Sequence, residues 1–162
     1  MKKKKKVLFI ASTGGHLNEL LQLSSCFDKY DYTLITEKTK SNMGLMKKHP
    51  NRVHYLIAGT YTTFPAMIVY PFKFLANCMK SLYFYLKIKP EVVVTTGTHT
   101  AVPMCYIMHF FKKKVIFIET FANSETRTLS GRMVYPIADT FIVQWESMLE
   151  HYPKAKFGGW IY

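Results

Sequence analysis

Acidic residues are scarce in this chain of 162: ten Asp and Glu stand against 22 Lys and Arg, giving a formal net charge of +12. So basic a surface excludes cationic partners and selects anions such as phospholipid headgroups, nucleic acid or phosphorylated substrates. Cysteine is sparse too. Cys26, Cys78 and Cys105 are odd in number and fit neither a CxxC pair nor a metal knuckle, so no structural metal is expected. Each lies in an apolar run, which predicts buried thiols in a reducing compartment. No signal peptide is read at the start, because the basic run Lys2, Lys3, Lys4, Lys5, Lys6 passes directly into a strand pattern. Neither GxGxxG nor GxxxxGK[ST] occurs, which removes the dinucleotide fingerprint and the P-loop and leaves no cofactor expected. No DNA- or RNA-binding motif appears, and the aromatics gather in an apolar segment instead of interleaving with basic residues, so nucleic acid is not the expected partner.

What is present begins at Val7 to Leu23, VLFIASTGGHLNELLQL. An apolar run, two adjacent glycines and an apolar-periodic run read as strand, tight turn and helix. Bare amides at the turn and the positive end of the helix dipole favour an anion. His16 then lies at the carboxyl end of the first strand, where open α/β sheets bind ligands. Further strands are predicted at 32–36, 53–57, 92–96, 115–118 and 140–143. Helices are predicted up to about residue 30, at 101–111 and around 129–135. Alternation of this kind predicts an α/β fold, a doubly wound parallel sheet in one domain spanning residues 1–162. Its apolar fraction of 49% suits one real core.

Two later loops join the first on the same edge. TTGTHTAVP (95–103) contains Gly97, with Thr98 or Thr100 expected to cap the helix that follows. ETFANSETRTLSGR (119–132) places Glu119 at the end of the fifth strand, before the polar residues Asn123, Ser124 and Arg127. A carboxylate facing donors suits a general base or a sugar-hydroxyl acceptor.

The segment 64–88, FPAMIVYPFKFLANCMKSLYFYLKI, has a different character. A helix is predicted from Pro71, with Lys73, Asn77, Lys80 and Lys87 on one narrow stripe and Phe72, Phe74, Leu75, Met79 and Leu82 among the apolar residues around it. A helix that covers a sheet needs an apolar arc of roughly 100°; this one has far more. The surplus predicts a membrane interface or a partner protein, with a deep internal helix as the plain alternative. A span is disfavoured, because Lys73 and Lys80 would each cost about 2.5–3.5 kcal/mol at the bilayer centre. The basic run 1–6 points to an anionic surface as well, each residue being worth roughly 1 kcal/mol there.

STGGH (12–16), TGTHTAVP (96–103) and IETFANSETRTLSGRMVYPIAD (118–139), in this order, resemble one family over nearly the whole chain. It is the membrane-associated, acceptor-side subunit of glycosyltransferases of the two-domain GT-B class that are split between two chains. One branch is the anchoring subunit of the dolichol-pathway N-acetylglucosaminyltransferase. The closer branch comprises bacterial capsule and exopolysaccharide proteins that assist a β-1,4-glycosyltransferase. The pattern is also similar to the amino-terminal half of the peptidoglycan N-acetylglucosaminyltransferase that acts on an undecaprenyl-diphosphate sugar. The resemblance implies a Rossmann-like domain equivalent to one GT-B half, in which Gly14, Gly15, Gly97 and Thr98 meet a diphosphate and Arg127 adds a phosphate contact. His16 or Glu119 would supply the base of an inverting transfer. It also implies a separate partner carrying the UDP-sugar, a polyprenyl-diphosphate-linked sugar as acceptor, and peripheral placement on the cytoplasmic membrane face, where attachment would rest on 64–88. With one domain in hand, weak transfer or none is expected from the chain alone. The rival expectation is a non-catalytic scaffold that only anchors and activates the partner. TGTHT replaces the glycine-richer second loop of the peptidoglycan enzyme.

Overall fold

The computed structural model describes residues 4–59, 64 and 66–161. Among them, seven strands form one all-parallel sheet: β1 (Lys6–Ile10), β2 (Asp31–Glu37), β3 (Val53–Leu56), β4 (Val92–Thr95), β5 (Lys114–Ile118), β6 (Thr140–Val143) and β7 (Lys156–Phe157). The spatial order is β3-β2-β1-β4-β5-β6-β7. The helices are α1 (Gly15–Gln22), α2 (Leu45–Lys48), α3 (Ala66–Ile88), α4 (Val102–Phe110), α5 (Leu129–Val134) and α6 (Met148–His151). Six strands coincide with the predicted runs to within a residue or two. The seventh does not: Lys156 and Phe157 pair with Ile142 and Val143 at the sheet edge, a pairing too short to leave a pattern in the sequence.

Successive strand residues point to opposite faces, and parallel strands are buried on both. Leu8, Ile10, Val93, Phe117 and Phe141 meet Tyr85 of α3, Met104 and Met108 of α4 and Val134 of α5. Val7, Phe9, Leu34, Val94 and Ile118 meet Leu17 and Leu20 of α1, Phe27, and Leu45 of α2. β1 lies between β2 and β4, with Phe9 in register with Leu34 on one side and Val94 on the other. The chain reverses its direction of travel across the sheet here, the point at which open α/β sheets of this kind place their ligands.

Several boundaries correct the expectations. The first helix stops at Gln22 and continues as a tighter 3-10 segment over Leu23–Lys29. The basic tail ends one residue early, because Lys6 opens β1 and its Nζ donates to the Ile88 carbonyl at 3.2 Å; Lys2 and Lys3 lie outside the described residues. Neither Thr98 nor Thr100 caps α4, whose N-cap is Ala101 with no side-chain bond. Cys105 is buried, and burial pushes its thiol up to about 12, but Cys26 and Cys78 are only half-buried.

α3 starts at Ala66, ahead of the predicted start, and holds Pro71 in its interior. Its polar stripe splits. Asn77 faces inward and is held twice to the neighbouring chain, accepting from the Ile57 amide at 2.8 Å and donating to the Ile57 carbonyl at 2.9 Å. Ser81 is buried beside it, whereas Lys80 is exposed and donates to the Tyr55 carbonyl. Phe84 and Tyr85 pack inward, on His54 and Phe111 respectively. Phe72, Leu75, Met79, Tyr83 and Leu86 face outward; Phe74 and Leu82 are half-buried. Among the described residues, no helix is long and apolar enough to cross a membrane.

Candidate functional site

Three loops meet above the carboxyl ends of β1, β4 and β5. The first two are laced together across 80 residues of sequence. His16, in the first turn of α1, donates from Nδ1 to the Thr96 carbonyl at 2.8 Å, and the Thr96 hydroxyl donates back to the His16 carbonyl at 2.7 Å. The Ser12 amide donates to the Gly97 carbonyl at 3.3 Å. A carbonyl only accepts, so this contact fixes the imidazole with its proton on Nδ1 and leaves Nε2 as an acceptor. Among the described residues no hydrogen bond reaches Nε2. Gly97 is pressed between the loops at φ +96°, where a Cβ would stand 3.5 Å from both His16 Nδ1 and Ser130 Oγ. The positive φ is what calls for glycine, since contacts of that length would leave room for a methyl group.

Glu119 ends the fifth strand as predicted, but it is 2% exposed. Its carboxylate accepts from the Thr128 hydroxyl at 2.9 Å, the Tyr152 hydroxyl at 3.0 Å and the Thr120 amide at 3.2 Å. Burial raises its carboxyl above the usual range, against the pull of these donors and of His16. Tyr152 is raised in turn, by burial and by the Glu119 charge. Gly131 completes the cluster: a Cβ there would collide with Glu119 Oε2, the Tyr152 hydroxyl and Thr128 Oγ1. Glu119 therefore fastens the start of α5 to β5, and its oxygens face protein donors.

The remaining candidates divide. Gly14 and Gly15 are exposed at the start of α1, with no side chain capping its first turn. Thr98 is half-exposed beside His99. Thr100 is buried and spends its hydroxyl on Glu37 Oε1 at 2.6 Å. Asn123 closes its own loop, donating to the Thr126 carbonyl at 2.6 Å, and the Ser124 carbonyl accepts from Ser147. Arg127 is exposed, its guanidinium 5.7 Å from the centre of the Tyr152 ring. Among the described residues, no cluster of His, Cys, Asp and Glu has a metal-holding arrangement.

Sequence reasoning passed over two glutamates. Glu37, the last residue of β2, is 4% exposed and gathers Thr100, the Thr13 amide at 3.4 Å and His99 Nε2 at 3.6 Å. Burial lowers the His99 imidazole while the Glu37 charge opposes the shift. Glu19 accepts from the Thr120 hydroxyl at 2.7 Å and the Phe121 amide at 3.2 Å, tying α1 to the loop after β5. A signal for Glu19 existed: it stands three residues after His16, on the same helix face. Glu37 had a weaker one, its place at the carboxyl end of a strand.

The strand order and the loops gathered at its reversal point define a Rossmann-like α/β domain with its candidate site on the carboxyl edge. The comparisons carry this to a family. The description "Oligosaccharide biosynthesis protein Alg14 like" matches residues 7–161, and the chain belongs to that family. It is 28% identical over 180 residues to the UDP-N-acetylglucosamine transferase subunit ALG14 of Candida albicans, covering 98% of this chain and 82% of the relative. The human protein of the same name is 26% identical over 175 residues, covering 94% and 81%. Among solved structures, MurG of Acinetobacter baumannii superposes with a TM-score of 0.71 at 16% identity. The UDP-GlcNAc 2-epimerase of Methanocaldococcus jannaschii gives 0.70 at 16% identity. At that identity the likeness is one of fold. The chain covers 42% of the length of each, matching a Rossmann-like half of GT-B architecture.

Proposed function

We propose that this chain is the acceptor-side subunit of a two-part glycosyltransferase in lipid-linked oligosaccharide or polysaccharide synthesis. Its family membership and the names of its relatives support a UDP-N-acetylglucosamine-dependent transfer. In this reading, a partner subunit brings the nucleotide sugar. This chain takes a polyprenyl-diphosphate-linked sugar at the cytoplasmic membrane face, and its glycine loops at Gly14–Gly15 and Gly97–Thr98 meet the diphosphate. Arg127, exposed on the loop after β5, would add a bidentate phosphate contact. An inverting β-1,4 transfer needs one base near the acceptor hydroxyl and no covalent intermediate. Of His16 and Glu119, His16 suits that role better. The observation that carries the reading is the Nδ1 contact with Thr96, which leaves the Nε2 lone pair available, whereas the Glu119 oxygens are covered by Thr120, Thr128 and Tyr152.

The outward face of α3 fits a membrane surface. Phe72, Leu75 and Met79 are exposed along it, and Phe110 is exposed at the end of the neighbouring helix α4. Lys73 and Lys80 on the same helix, and Lys112 and Lys113 just after α4, offer positive charge to anionic headgroups. Reconstitution with the donor-binding subunit tests the assignment. His16→Ala should abolish transfer while leaving subunit association intact. Normal transfer with His16 and Glu119 both replaced would sink it.

A second reading, a non-catalytic scaffold, draws support from the internal use of Glu119, Thr100 and Asn123. It predicts that any membrane tether fused to the partner restores transfer in place of this chain.

A further inference from the structure

Glu19 holds an anomaly. One carboxylate oxygen, Oε1, is taken by Thr120 and Phe121, but Oε2 is buried and meets no hydrogen-bond donor among the described residues. A buried carboxylate oxygen without a donor is costly and calls for a compensating charge. The nearest candidate is the His16 ring, with Nδ1 3.8 Å from Oε2. That nitrogen already donates to Thr96, so Glu19 faces the imidazole without consuming its proton.

We propose that Glu19 is a positioning residue for sugar transfer, its carboxylate balancing the imidazolium that forms on His16. The proposal rests on the reading of His16 as base. The step is a single displacement. Nε2 takes the proton of the acceptor hydroxyl as that oxygen bonds to the anomeric carbon of the partner's UDP-sugar; the bond from that carbon to the UDP oxygen breaks, and UDP leaves with the electron pair. The ring is neutral before the step and positive after it. A fixed carboxylate beside Nδ1 therefore stabilises the transition state more than the ground state. The same carboxylate anchors the loop after β5, so base and loop keep one geometry. The other titratable groups that face His16 are Glu119 at the end of β5 and His99 in the loop after β4.

Glu19→Gln keeps an oxygen for Thr120 and Phe121 and removes only the charge. In the reconstituted pair, kcat should fall roughly ten- to hundredfold, with KM held within about twofold. Glu19→Asp, which retains the charge, should recover most of the lost kcat. Thr120→Val, which removes a tether and leaves the charge, should lower kcat far less than Glu19→Gln does. In the chain alone, the ¹⁵N NMR signals of the His16 ring should move in Glu19→Gln and stay in place in Thr120→Val. An unchanged kcat in Glu19→Gln, or an equal loss in Glu19→Asp and Glu19→Gln, would overturn the proposal. If the wild-type pair transferred no sugar, the function proposed above would fail, and the ring signals would still decide whether Glu19 and His16 are coupled.

Discussion

The carboxyl edge of the sheet and the α3–α4 flank break the ordinary burial rule in opposite directions. On the edge, carboxylates are inside: Glu37 is 4% exposed and Glu119 is 2% exposed. On the flank, large apolar side chains are outside: Phe72 is 73% exposed and Phe110 is 79% exposed. Buried carboxylates require donors, and those found here come from other loops, so each glutamate fastens two segments together: Glu37 joins the loops after β1 and β4, Glu119 joins β5 to α5, and Glu19 joins α1 to the loop after β5. α3 and α4 contain no carboxylate, and the hydrogen bonds that fasten them include those of Asn77 with Ile57 and of Tyr106 with the Met133 carbonyl. The exposed face of this flank is unsatisfied in a way that only another apolar medium relieves. One region is therefore built to hold a geometry and the other to meet a surface, and substitutions should separate them.

The largest effect is expected on the flank. Glu in place of Phe72 and Leu75 together removes two apolar contacts worth about 1.5–3 kcal/mol each at a lipid interface. Flotation with anionic vesicles should fall by more than about a hundredfold, with thermal stability nearly unchanged. Retained flotation would mean that this face meets something other than lipid. On the edge the same logic reverses, and stability takes the loss. Gly131→Ala forces a methyl group into the Glu119, Tyr152 and Thr128 cluster, and overpacking of this kind should cost about 1–3 kcal/mol in denaturant unfolding. Asn77→Ala tests the seam between the regions. It strips the Ile57 amide and carbonyl of their partners, for a loss of roughly 1–2 kcal/mol with vesicle binding kept.

The smallest effect is pH dependence. His49, His54 and His99 are all lowered from 6.5, chiefly by burial, so the folded state favours their neutral forms. Their contribution is complete above 6.5 and is lost as pH falls through the interval between 6.5 and their folded values, because the unfolded chain binds the protons first. Glu119, raised by burial, acts in the opposite sense: its folded form binds the proton first, so its share of stability rises as pH falls from its folded value towards 4.5. Urea midpoints that decline from pH 7 to pH 5.5, and decline less in His54→Gln, would match this balance. A midpoint that climbs over that interval would contradict it.

Much of the fold was legible because the signals are local. Val7 to Ala11 and Val92 to Thr96 are short apolar runs ended by turn residues, and β-branched strands of that kind declare themselves. Gly14, Gly15 and His16 stood out for the same reason. The site was legible only in outline. Glu119 was visible as a carboxylate at a strand end, but its donor Tyr152 lies 33 residues on, with nothing in the sequence linking the two. Thr100 looked like a helix cap because a hydroxyl before a helix usually is one; the Glu37 carboxylate, 63 residues away, competes for it and wins. Glu19 was overlooked because an acidic residue on a helix ordinarily faces water.

The residues by themselves determined the alternation of strand and helix, the glycine turn before α1, the basic balance and the surplus of apolar surface on α3, since each depends on composition or on neighbours a few positions apart. Tertiary packing alone decided that His16 meets Thr96, that Asn77 turns inward while Phe72 turns out, that the carboxylates are buried and bound, and that Lys156–Phe157 joins the sheet as β7. The physical reason is range. A backbone carbonyl or a buried oxygen takes whichever donor the completed fold brings within about 3 Å, and no periodicity in the chain records which one that will be.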